Sequence, residues 1–261
     1  KEAVVSMMKD KKFGHSGDNI VIEEFLEGPE VSVLSFTDGK VVKPMISSMD
    51  HKRAGDGDTG LNTGGMGVIG PNPYYTKEIA DECMEKIFLP TIKAMNAEGR
   101  TFKGCLYFGL MITADGPKVI EYNCRFGDPE TQVVLPLLDS DLAQIMLACA
   151  TGTLDASMVK WKDQATVCVV MASGGYPASY ENGKVIAGLK EAGALEDVVV
   201  FHAGTKAADG RIVTAGGRVL GVTALARDIR SAKNKAYEAV EKIRFDKVHY
   251  RKDIAWRALK R

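Results

Sequence analysis

The chain has 261 residues, of which 45% are hydrophobic and 26% are charged, a composition typical of one large or two modest globular domains and not of a disordered chain. Its 34 basic and 34 acidic residues balance, so no net field favours nucleic acid or an anionic membrane as a partner. No apolar run reaches the roughly 18 residues that a transmembrane helix needs.

The cysteines favour a reducing compartment, and we therefore expect a cytoplasmic protein. They are odd in number and form no C-x-x-C pair, which indicates free thiols and not a disulfide framework. We expect each of them to be a small core residue. They are Cys83, Cys105, Cys124, Cys149 and Cys168.

The start of the chain has the pattern of an interrupted helix. Its first residue is lysine, and residues 2–8 have the spacing of the end of an amphipathic helix, with no start signal before it. We therefore expect that the sequence has been cut from a longer protein. No signal peptide is visible here, but a truncated end does not show the native one.

Three strands are predicted next, because apolar and polar residues alternate over residues 19–26, 30–36 and 41–48. The glycine-rich residues 50–73 then show no periodicity, and compact domains usually keep so long a loop for function. We expect a hairpin-rich sheet followed by a long functional loop.

A helix and a second hairpin follow. Residues 77–98 carry apolar side chains at helical spacing. Residues 104–113 predict a buried strand, which pairs through a turn at residues 115–116 with another strand that begins near Lys118.

This last strand carries the first candidate site. Period 2 puts Glu121, Asn123 and Arg125 on one face of the strand. Mg²⁺ is usually held by one or two protein oxygens together with phosphate oxygens, as a carboxylate and an amide could supply. Arg125 would then cover the remaining phosphate charge. The alternative is that the row is only the polar face of a half-buried strand.

The residues after this row favour a ligand site. Asp128 and Glu130 stand directly before a helical run predicted over residues 131–150, in which Asp128 fits the N-cap and Pro129 the first helical position. Charged groups at a strand end that leads into a helix are typical of ligand sites in open α/β sheets. The sequence therefore predicts a magnesium-nucleotide site.

The character of the chain changes after Gly152. Arg227 begins an amphipathic helix predicted over residues 227–242, and residues 250–253 predict a short polar turn. A boundary is expected within residues 155–164, which divides the chain into domains of residues 1–155 and 160–261. The short, glycine-separated strands of the second domain are predicted at residues 166–172, 198–203, 211–214 and 218–224.

The long loop provides a second candidate site, suited to an anionic substrate. Its glycines would let backbone N–H groups turn toward one concavity and approach a phosphate or a carboxylate, while its cations add positive charge. The alternative is a flexible, solvated loop. The candidate residues are Asp50, Lys52, Arg53, Asn62, Thr63, Gly64, Gly65 and Gly67.

A third candidate site lies at the end of the first predicted strand and suits an adenosine. Backbone groups near Phe25 and Leu26 could pair with the adenine edge, and Glu30 could accept hydrogen bonds from ribose hydroxyls. The alternative is a charged hairpin. The candidate residues are Glu23, Glu24, Phe25, Leu26 and Glu30.

In this order and spacing, these segments resemble the ATP-grasp family and, within it, the glycinamide ribonucleotide synthetases, also called phosphoribosylamine–glycine ligases. The resemblance covers essentially the whole chain. It implies an α+β fold, with the C-terminal portion of an ATP-grasp domain (an antiparallel sheet with helices) followed by a small β-rich domain with a helix. It is carried by residues 21–26, 50–53, 62–67, 121–130, 202–205, 216–220 and 250–253.

The resemblance also assigns roles. It implies that Glu121 and Asn123 bind Mg²⁺ or Mn²⁺, that residues 23–26 with Glu30 hold the adenosine of ATP, and that residues 52–67 surround glycine and 5-phosphoribosylamine. Arg125 and Asp128 are the implied catalytic residues. Many ATP-grasp relatives supply a further carboxylate from the preceding strand, but residues 107–110 of this chain contain none.

The implied reaction is the ATP-dependent ligation of glycine to 5-phosphoribosylamine in purine biosynthesis, through a glycyl phosphate. Products are glycinamide ribonucleotide, ADP and phosphate. The family's N-terminal α/β domain and phosphate-covering glycine loop do not occur in this sequence, so we expect the missing part of the same enzyme as a partner and no activity from these 261 residues alone.

Two alternatives remain open. One is another ATP-grasp carboxylate ligase, against which the segment 50–67 argues. The other is a nucleotide-binding regulator or docking domain without catalysis. His202, Arg218 and Arg251 either line the cleft or have surface and structural roles.

Overall fold

The computed structural model describes residues 1–260, and its mixture of helices and antiparallel strands confirms the predicted α+β class. The α-helices are α1 (Glu2–Val4), α2 (Lys77–Cys83), α3 (Leu89–Ala97), α4 (Thr131–Val134), α5 (Leu142–Thr151), α6 (Leu189–Gly193), α7 (Ile229–Lys242) and α8 (Trp256–Leu259). Further helical turns, of π or 3-10 geometry, cover Val5–Lys9, Gly14–Gly17, Asp56–Asp58, Met84–Phe88, Leu135–Leu137 and Ala156–Met158. The strands are β1 (Glu30–Thr37), β2 (Val42–Pro44), β3 (Met49–Asp50), β4 (Arg53–Gly55), β5 (Thr59–Asn62), β6 (Gly67–Gly70), β7 (Gly104–Thr113), β8 (Gly116–Asn123), β9 (Ala165–Ser173), β10 (Val198–His202), β11 (Thr205–Ala208), β12 (Arg211–Thr214), β13 (Arg218–Ala226) and β14 (Val248–His249).

A four-stranded antiparallel sheet, in the order β2-β1-β7-β8, lies between two helical layers. Successive side chains of a strand point to opposite faces, so β1 contributes to two cores. On one face Val33 packs with Phe108 and with Ile87, which lies in the π-helical turn between α2 and α3. On the other face Leu34 packs with Ile145 of α5.

A second antiparallel sheet joins the two halves of the chain. Its order is β10-β13-β9-β6-β3, and β14 also pairs with β9. α7 covers this sheet through the small side chains of Ala232, Ala236 and Ala239, which allow a close approach. Because β3 and β6 precede the expected boundary at residues 155–164, the two predicted domains share this sheet.

Most predicted elements lie where the sequence placed them. The helix expected over residues 77–98 is formed by α2, a π-helical turn and α3, and α7 begins after Asp228, whose side chain accepts a hydrogen bond from the N–H of Ser231. Strands β1, β7, β8, β9, β10, β12 and β13 begin and end within two residues of the predicted bounds where both were predicted. Residues 2–8 are helical, as expected.

The strand predicted over residues 19–26 is wrong. These residues belong to no strand, and Val21, Ile22 and Phe25 are each more than four-fifths exposed. Alternation alone does not make a strand, because a strand is stabilised by packing against cross-strand neighbours, and the part of the chain that the structure describes gives this segment none.

The prediction of a structureless loop over residues 50–73 is also wrong. This stretch contains the β4–β5 hairpin and β6, which pairs with β9 about one hundred residues later in the chain. The strand expected at 41–48 is shorter than predicted: Val42–Pro44 forms a continuous ladder with β1, and Ser48 pairs with Ser32 of β1 only as an isolated bridge. The formation of β6 depends on pairing with a distant segment, which local periodicity does not encode.

The single helix predicted over residues 131–150 is interrupted. Pro136 has no N–H and its ring clashes with the preceding turn, so the first helix ends early. α5 then begins anew after Asp141, whose side chain accepts hydrogen bonds from the N–H groups of Ala143 and Gln144.

Asp128 is not the N-cap of the first of these helices, as was predicted. The cap position is held by Glu130 without a side-chain cap, and the N–H of Thr131 donates to the carbonyl of Gly127. The carboxylate of Asp128 instead accepts a hydrogen bond from Gln132 Nε2 at 3.0 Å. Asp128 therefore binds a side chain of this helix and not its first backbone N–H groups.

The cysteines follow the prediction with one exception. Four are buried free thiols, whereas Cys124 is exposed because it follows the last residue of an edge strand. Among residues 1–260, no helix is long and apolar enough to cross a membrane.

Candidate active site

The row on β8 is set by a bulge in the strand. Gly109 of β7 pairs with Glu121, but Leu110 pairs with Val119, so Ile120 is an extra residue. A bulge re-aims the side chains that follow it. Val119 therefore packs on the helix side of the sheet, while Glu121, two residues later, faces the opposite side.

Three polar side chains form a connected row on that opposite side, as the sequence predicted. Asn123 Nδ2 donates to Glu121 Oε1 at 3.1 Å, and Arg125 Nη2 donates to Asn123 Oδ1 at 3.3 Å. Arg125 Nη1 also donates to the carbonyl of Phe126 at 2.9 Å, which fixes the guanidinium. Carboxylate, amide and guanidinium thus stand side by side.

This row lines a cavity of about 260 Å³ together with residues from the loop and from the segment after β8. The predicted site residues are therefore brought together from three parts of the chain. The lining residues are Asp50, Lys52, Thr63, Gly64, Tyr107, Glu121, Asn123, Arg125, Asp128 and Glu130.

Two of these lining residues, Glu130 and Tyr107, were not predicted as site residues. Glu130 is buried, and its Oε1 accepts hydrogen bonds from Tyr107 Oη at 3.1 Å and Ser32 Oγ at 3.3 Å. Its position in the charged run 128–130 was a signal, but its burial depends on Ser32 and Tyr107, which are remote in sequence. Tyr107 stands on β7, and its hydroxyl donates to the Glu130 carboxylate.

Asp50 is a carboxyl group in an unfavourable environment. Burial, together with the nearby charge of Glu130, raises its pKa well above the usual value. Its Oδ1 atom is buried and has no hydrogen-bond partner among the described residues. Its protonated form is therefore favoured.

Lys52 stands beside Asp50 and keeps its charge. Its Nζ lies 2.7 Å from Glu30 Oε2. Burial alone would lower the pKa of Lys52, but the hydrogen bond and charge of Glu30 outweigh burial and raise it. The site therefore combines a fixed cation with a carboxyl group that resists ionisation.

The loop glycines were expected to turn their backbone N–H groups toward one concavity. In the structure these N–H groups are bound within the protein, and the glycines allow close packing instead. The N–H of Gly64 donates to Tyr176 Oη, and the N–H of Gly65 donates to Thr63 Oγ1. A Cβ at Gly65 would lie 2.6 Å from Asp50 Oδ1, and one at Gly67 would lie 2.6 Å from Ile254. Gly65 and Gly67 are buried and do not line the cavity.

The residues predicted for adenosine line a separate cavity of about 290 Å³ beside β8. Glu24 is held there by Lys118, whose Nζ donates to both of its carboxylate oxygens at 3.0 Å. Lys118 was not predicted. The cavity is lined by Glu23, Glu24, Phe25, Leu26, Glu30, Met111, Lys118, Val119 and Ile120.

A third cavity, of about 630 Å³, adjoins the 260 Å³ cavity through Asp50 and Lys52, which line both. It contains the remaining predicted loop residues, Arg53 and Asn62. Its lining also includes Arg257, which comes from α8 near the end of the chain and was not predicted.

The C-terminal segment fastens the loop. Arg251 is fully buried, and its guanidinium donates to Asp58 and to both carboxylate oxygens of Asp253. Burial would raise the pKa of Asp253, but Arg251 outweighs that effect and lowers it to about 2. The polar turn expected at residues 250–253 is therefore a buried ionic anchor, and Arg251 has a structural role.

Arg218 and His202, the other two undecided residues, have different positions. Arg218 Nη1 donates to the carbonyls of Gly64 and Asp128 and lies 3.4 Å from the carboxylate of Asp128. It therefore joins the loop to the segment after β8, at the edge of the cavity. His202 is exposed at the end of β10 and lines none of the three cavities described above.

The donor set of the row fits a hard divalent cation. A carboxylate and an amide are the oxygen ligands that Mg²⁺ accepts, and the ion usually completes its shell with phosphate oxygens and water. Residues 1–260 contain no group of three or more His, Cys, Asp and Glu side chains arranged for a metal. A metal here would therefore be held by Glu121 and Asn123 together with ligands that the substrates bring.

Comparison with known proteins gives matches along nearly the whole chain. Residues 1–131 match the model of the phosphoribosylglycinamide synthetase ATP-grasp (A) domain, and residues 166–257 match that of the phosphoribosylglycinamide synthetase C domain. A phosphoribosylamine–glycine ligase of Vibrio vulnificus strain YJ016 is 49% identical over 261 residues, which are 100% of this chain and 61% of that protein. The chain thus spans about three-fifths of the length of this curated relative.

Two further relatives extend the comparison. The trifunctional purine biosynthetic protein adenosine-3 of Gallus gallus is 51% identical over 259 residues, which are 99% of this chain and 26% of that protein. The crystal structure of a phosphoribosylamine–glycine ligase from Thermotoga maritima superimposes with a TM-score of 0.79 at 36% identity, covering 88% of this chain and 56% of that one. With the two model matches on either side of residue 150, the chain belongs to the phosphoribosylglycinamide synthetase family.

Proposed function

We propose that the longer protein containing this chain ligates glycine to 5-phosphoribosylamine at the expense of ATP, giving glycinamide ribonucleotide, ADP and phosphate in purine biosynthesis. The observation that carries this proposal is the convergence of the Glu121–Asn123–Arg125 row with the loop residues on one cavity, in a chain of this family. The relatives described above bear the name of this activity.

The proposed reaction has two steps. The carboxylate of glycine attacks the γ-phosphorus of ATP, the bond to the β,γ-bridging oxygen breaks, and ADP leaves. The amine of phosphoribosylamine then attacks the acyl carbon of glycyl phosphate, loses a proton and expels phosphate. A bound divalent cation would neutralise the charge that develops on the phosphates during the first step.

We assign the chain's residues as follows. Glu121 and Asn123 would hold the cation, Mg²⁺ or Mn²⁺, and Arg125 would stabilise the transferred phosphoryl group. Asp128 is proposed to hold Arg218, and through it the loop, around the reacting groups. The protein thus contributes position and electrostatics more than covalent chemistry.

We propose that the cavity beside β8 takes the adenosine, through residues 23–26 and Glu30. Lys118 supports this assignment, because it fixes Glu24 at the rim of that cavity. Asp50, Lys52, Arg53, Asn62, Thr63 and Gly64 line the two adjoining cavities and remain the proposed contacts for glycine and phosphoribosylamine, while the buried Gly65 and Gly67 are proposed to support this region by close packing.

Two broader assignments complete the proposal. We propose an ATP-grasp region over residues 1–155 and a C-terminal region over residues 160–261, since the two family models match on either side of this boundary. The free cysteines support a reducing, cytoplasmic environment.

The decisive experiment measures ADP release by the full-length protein with ATP and Mg²⁺, omitting glycine or freshly generated phosphoribosylamine in turn. We expect release only when both are present, with one amide formed per ADP. Release that is indifferent to both substrates would contradict the proposed acceptor. Residues 1–261 alone serve as a control, for which we expect negligible turnover.

A further inference from the structure

The cavity of about 630 Å³ has a size typical of a small-molecule site, and it shares only Glu30 with the cavity proposed for adenosine. It shares Asp50 and Lys52 with the 260 Å³ cavity that contains the Glu121 row. A molecule bound in it would therefore reach the reacting groups with one end while its other end stayed in the larger cavity.

The lining of this cavity carries two arginines from distant parts of the chain. Arg53 begins β4, and Arg257 belongs to α8, two hundred residues later. Arg53 Nη1 donates to the carbonyl of Gly60 at 2.9 Å, which orients its guanidinium without neutralising it. Both guanidinium groups are accessible, since Arg53 is exposed and the side chain of Arg257 is 41% exposed.

The carboxylates at this cavity only partly balance those cations. Asp58 accepts from Arg257 Nη2 at 2.7 Å, and its other oxygen accepts at 2.9 Å from the buried Arg251, which is also paired with Asp253. Glu30 is paired with Lys52. Burial favours the neutral form of Asp50 by raising its pKa. Arg53 forms no ion pair with any described residue, so its positive charge remains available to a bound anion.

We propose that Arg257 and Arg53 bind the 5-phosphate of the amine substrate. A guanidinium presents two parallel donors to a phosphate, and two of them at one cavity can hold a dianion. The amine end of the substrate would then point across Asp50 and Lys52 toward Glu121. This inference rests on the proposed function, and it gives the C-terminal region a direct part in substrate specificity.

The network around Arg257 indicates a positioned group. Asp58 is fixed by Arg251, and Asp56 and Asp253 tie the same loop to the C-terminal segment through the N–H groups of Lys252 and Gly57. The Arg257 side chain is therefore held in place at the cavity by Asp58 before any ligand binds. Less side-chain entropy is then lost when a phosphate binds to it.

The kinetic test replaces Arg257 with Gln in the full-length protein. We expect the KM for phosphoribosylamine to rise about 10- to 100-fold, as the loss of a charge-assisted hydrogen bond implies, while the KM values for ATP and glycine stay unchanged. Arg230→Gln is the matched control, because Arg230 is exposed on α7 and does not line this cavity. An unchanged KM for phosphoribosylamine, or an equal rise for ATP, would overturn the inference.

A binding test separates this inference from the proposed function. Calorimetry compares ribose 5-phosphate with ribose, which lacks the phosphate, on the wild-type protein and on the Arg257→Gln variant. We expect ribose 5-phosphate alone to bind, and about 10- to 100-fold more weakly to the variant. This result without phosphoribosylamine-dependent turnover would support the phosphate site and reject the proposed function; turnover with equal binding to both proteins would reject the phosphate site.

Discussion

Two groups of charged side chains in this molecule use the same chemistry for different ends. The row of Glu121, Asn123 and Arg125 stands at the end of an edge strand, is largely open to solvent, and contacts mainly itself. The group around Arg251 is closed: the guanidinium is fully buried and reaches two carboxylates and a backbone carbonyl. The charged atoms of the first group remain accessible to a ligand. Those of the second group are bound to partners within the protein and hold the loop in place.

This contrast explains why function should fail separately from folding. An exposed charge costs little stability when it is removed, whereas a buried charge whose partner is removed loses its compensation. Substitutions in the row should therefore change binding without changing the free energy of unfolding, whereas substitutions in the buried group should lower the free energy of unfolding directly. The predictions below test this separation, from the largest expected change in stability to the smallest.

Replacing Arg251 with Met should have the largest effect. Asp58 and Asp253 lose their buried partner, and we expect the free energy of unfolding to fall by roughly 3 to 5 kcal/mol. Urea denaturation of the variant measures the change, with Arg230→Met as the control on an exposed arginine. A loss below about 1 kcal/mol would mean that the buried group does not anchor the loop.

His51, which lies beneath the same anchor, should make stability depend on pH. Its Nε2 accepts from the N–H of Ala255 at 3.2 Å, so its Nδ1 carries the proton that faces the carbonyl of Gly67 at 3.1 Å. Burial and the charge of Arg251 lower the pKa of this neutral ring to about 4, from 6.5.

The sign of the effect follows from this lowered pKa. Below pH 6.5 the unfolded chain binds a proton that the folded chain refuses until about pH 4. Stability should therefore be full above pH 6.5 and fall by up to about 3 kcal/mol as the pH drops toward 4. NMR titration of the ring, assigned with a His51→Gln variant, checks the cause; protonation near pH 6.5 in the folded protein would contradict it.

Asp50 should have a smaller effect on stability than His51, and its contribution should fall as the pH rises and not as it drops. The raised pKa of Asp50 means that the folded state favours the neutral carboxyl group. The stabilisation from this proton is therefore full below pH 3.8, the ordinary pKa of an aspartate, and is lost as the pH rises through the pKa of the folded state. Asp50→Asn cannot ionise and should be more stable than the wild type at pH 8, by roughly 1 kcal/mol. The advantage should shrink on going to pH 4, and thermal unfolding at both values measures it. An advantage equal at both values would contradict the account.

The smallest effect is expected at the rim of the proposed adenosine cavity. Lys118 and Glu24 form an exposed pair, and such pairs contribute about 0 to 1 kcal/mol. Lys118→Ala should therefore leave the free energy of unfolding almost unchanged, while loosening Glu24 and weakening ATP binding by the full-length protein. Lys77→Ala, which removes another exposed pair, is the control for urea denaturation and for ATP titration. A large loss of stability in Lys118→Ala would contradict the claim that exposed charged groups of this protein contribute little to its stability.

The same contrast decides what the sequence could predict. The row on β8 depends on one strand, one turn and a period of two, all of which are local, so it could be placed from the residues alone. The family resemblance ordered the remaining segments correctly and is confirmed by the model matches. The bulge at Ile120 was not foreseen, although the side-chain row that it directs was.

Most failures depend on contacts between remote residues, whereas the helix interrupted at Pro136 failed on a local signal that the sequence does carry. The buried partners of Glu130 and the anchor of Arg251 join segments far apart in the chain, and no local pattern encodes them. The segment 19–26 alternates like a strand but has no cross-strand neighbour among the described residues. The loop glycines looked like an anion nest, yet their positions are set by the atoms of Asp50, Arg218 and Ile254 against which they pack.

The central claim, that Glu121 with Asn123 holds the divalent cation, is tested most directly by Mn²⁺ affinity. Electron paramagnetic resonance would measure Mn²⁺ binding to the full-length protein in the presence of ATP. The wild type is compared with Glu121→Gln and with the control Glu85→Gln, which changes an exposed carboxylate on the π-helical turn between α2 and α3. We expect only Glu121→Gln to weaken Mn²⁺ binding, by at least roughly 10- to 100-fold, since mutating even a residue that hydrogen-bonds to a metal ligand typically lowers metal affinity by that factor. The free energy of unfolding in urea should stay unchanged. Equal Mn²⁺ affinity in all three proteins would contradict the claim.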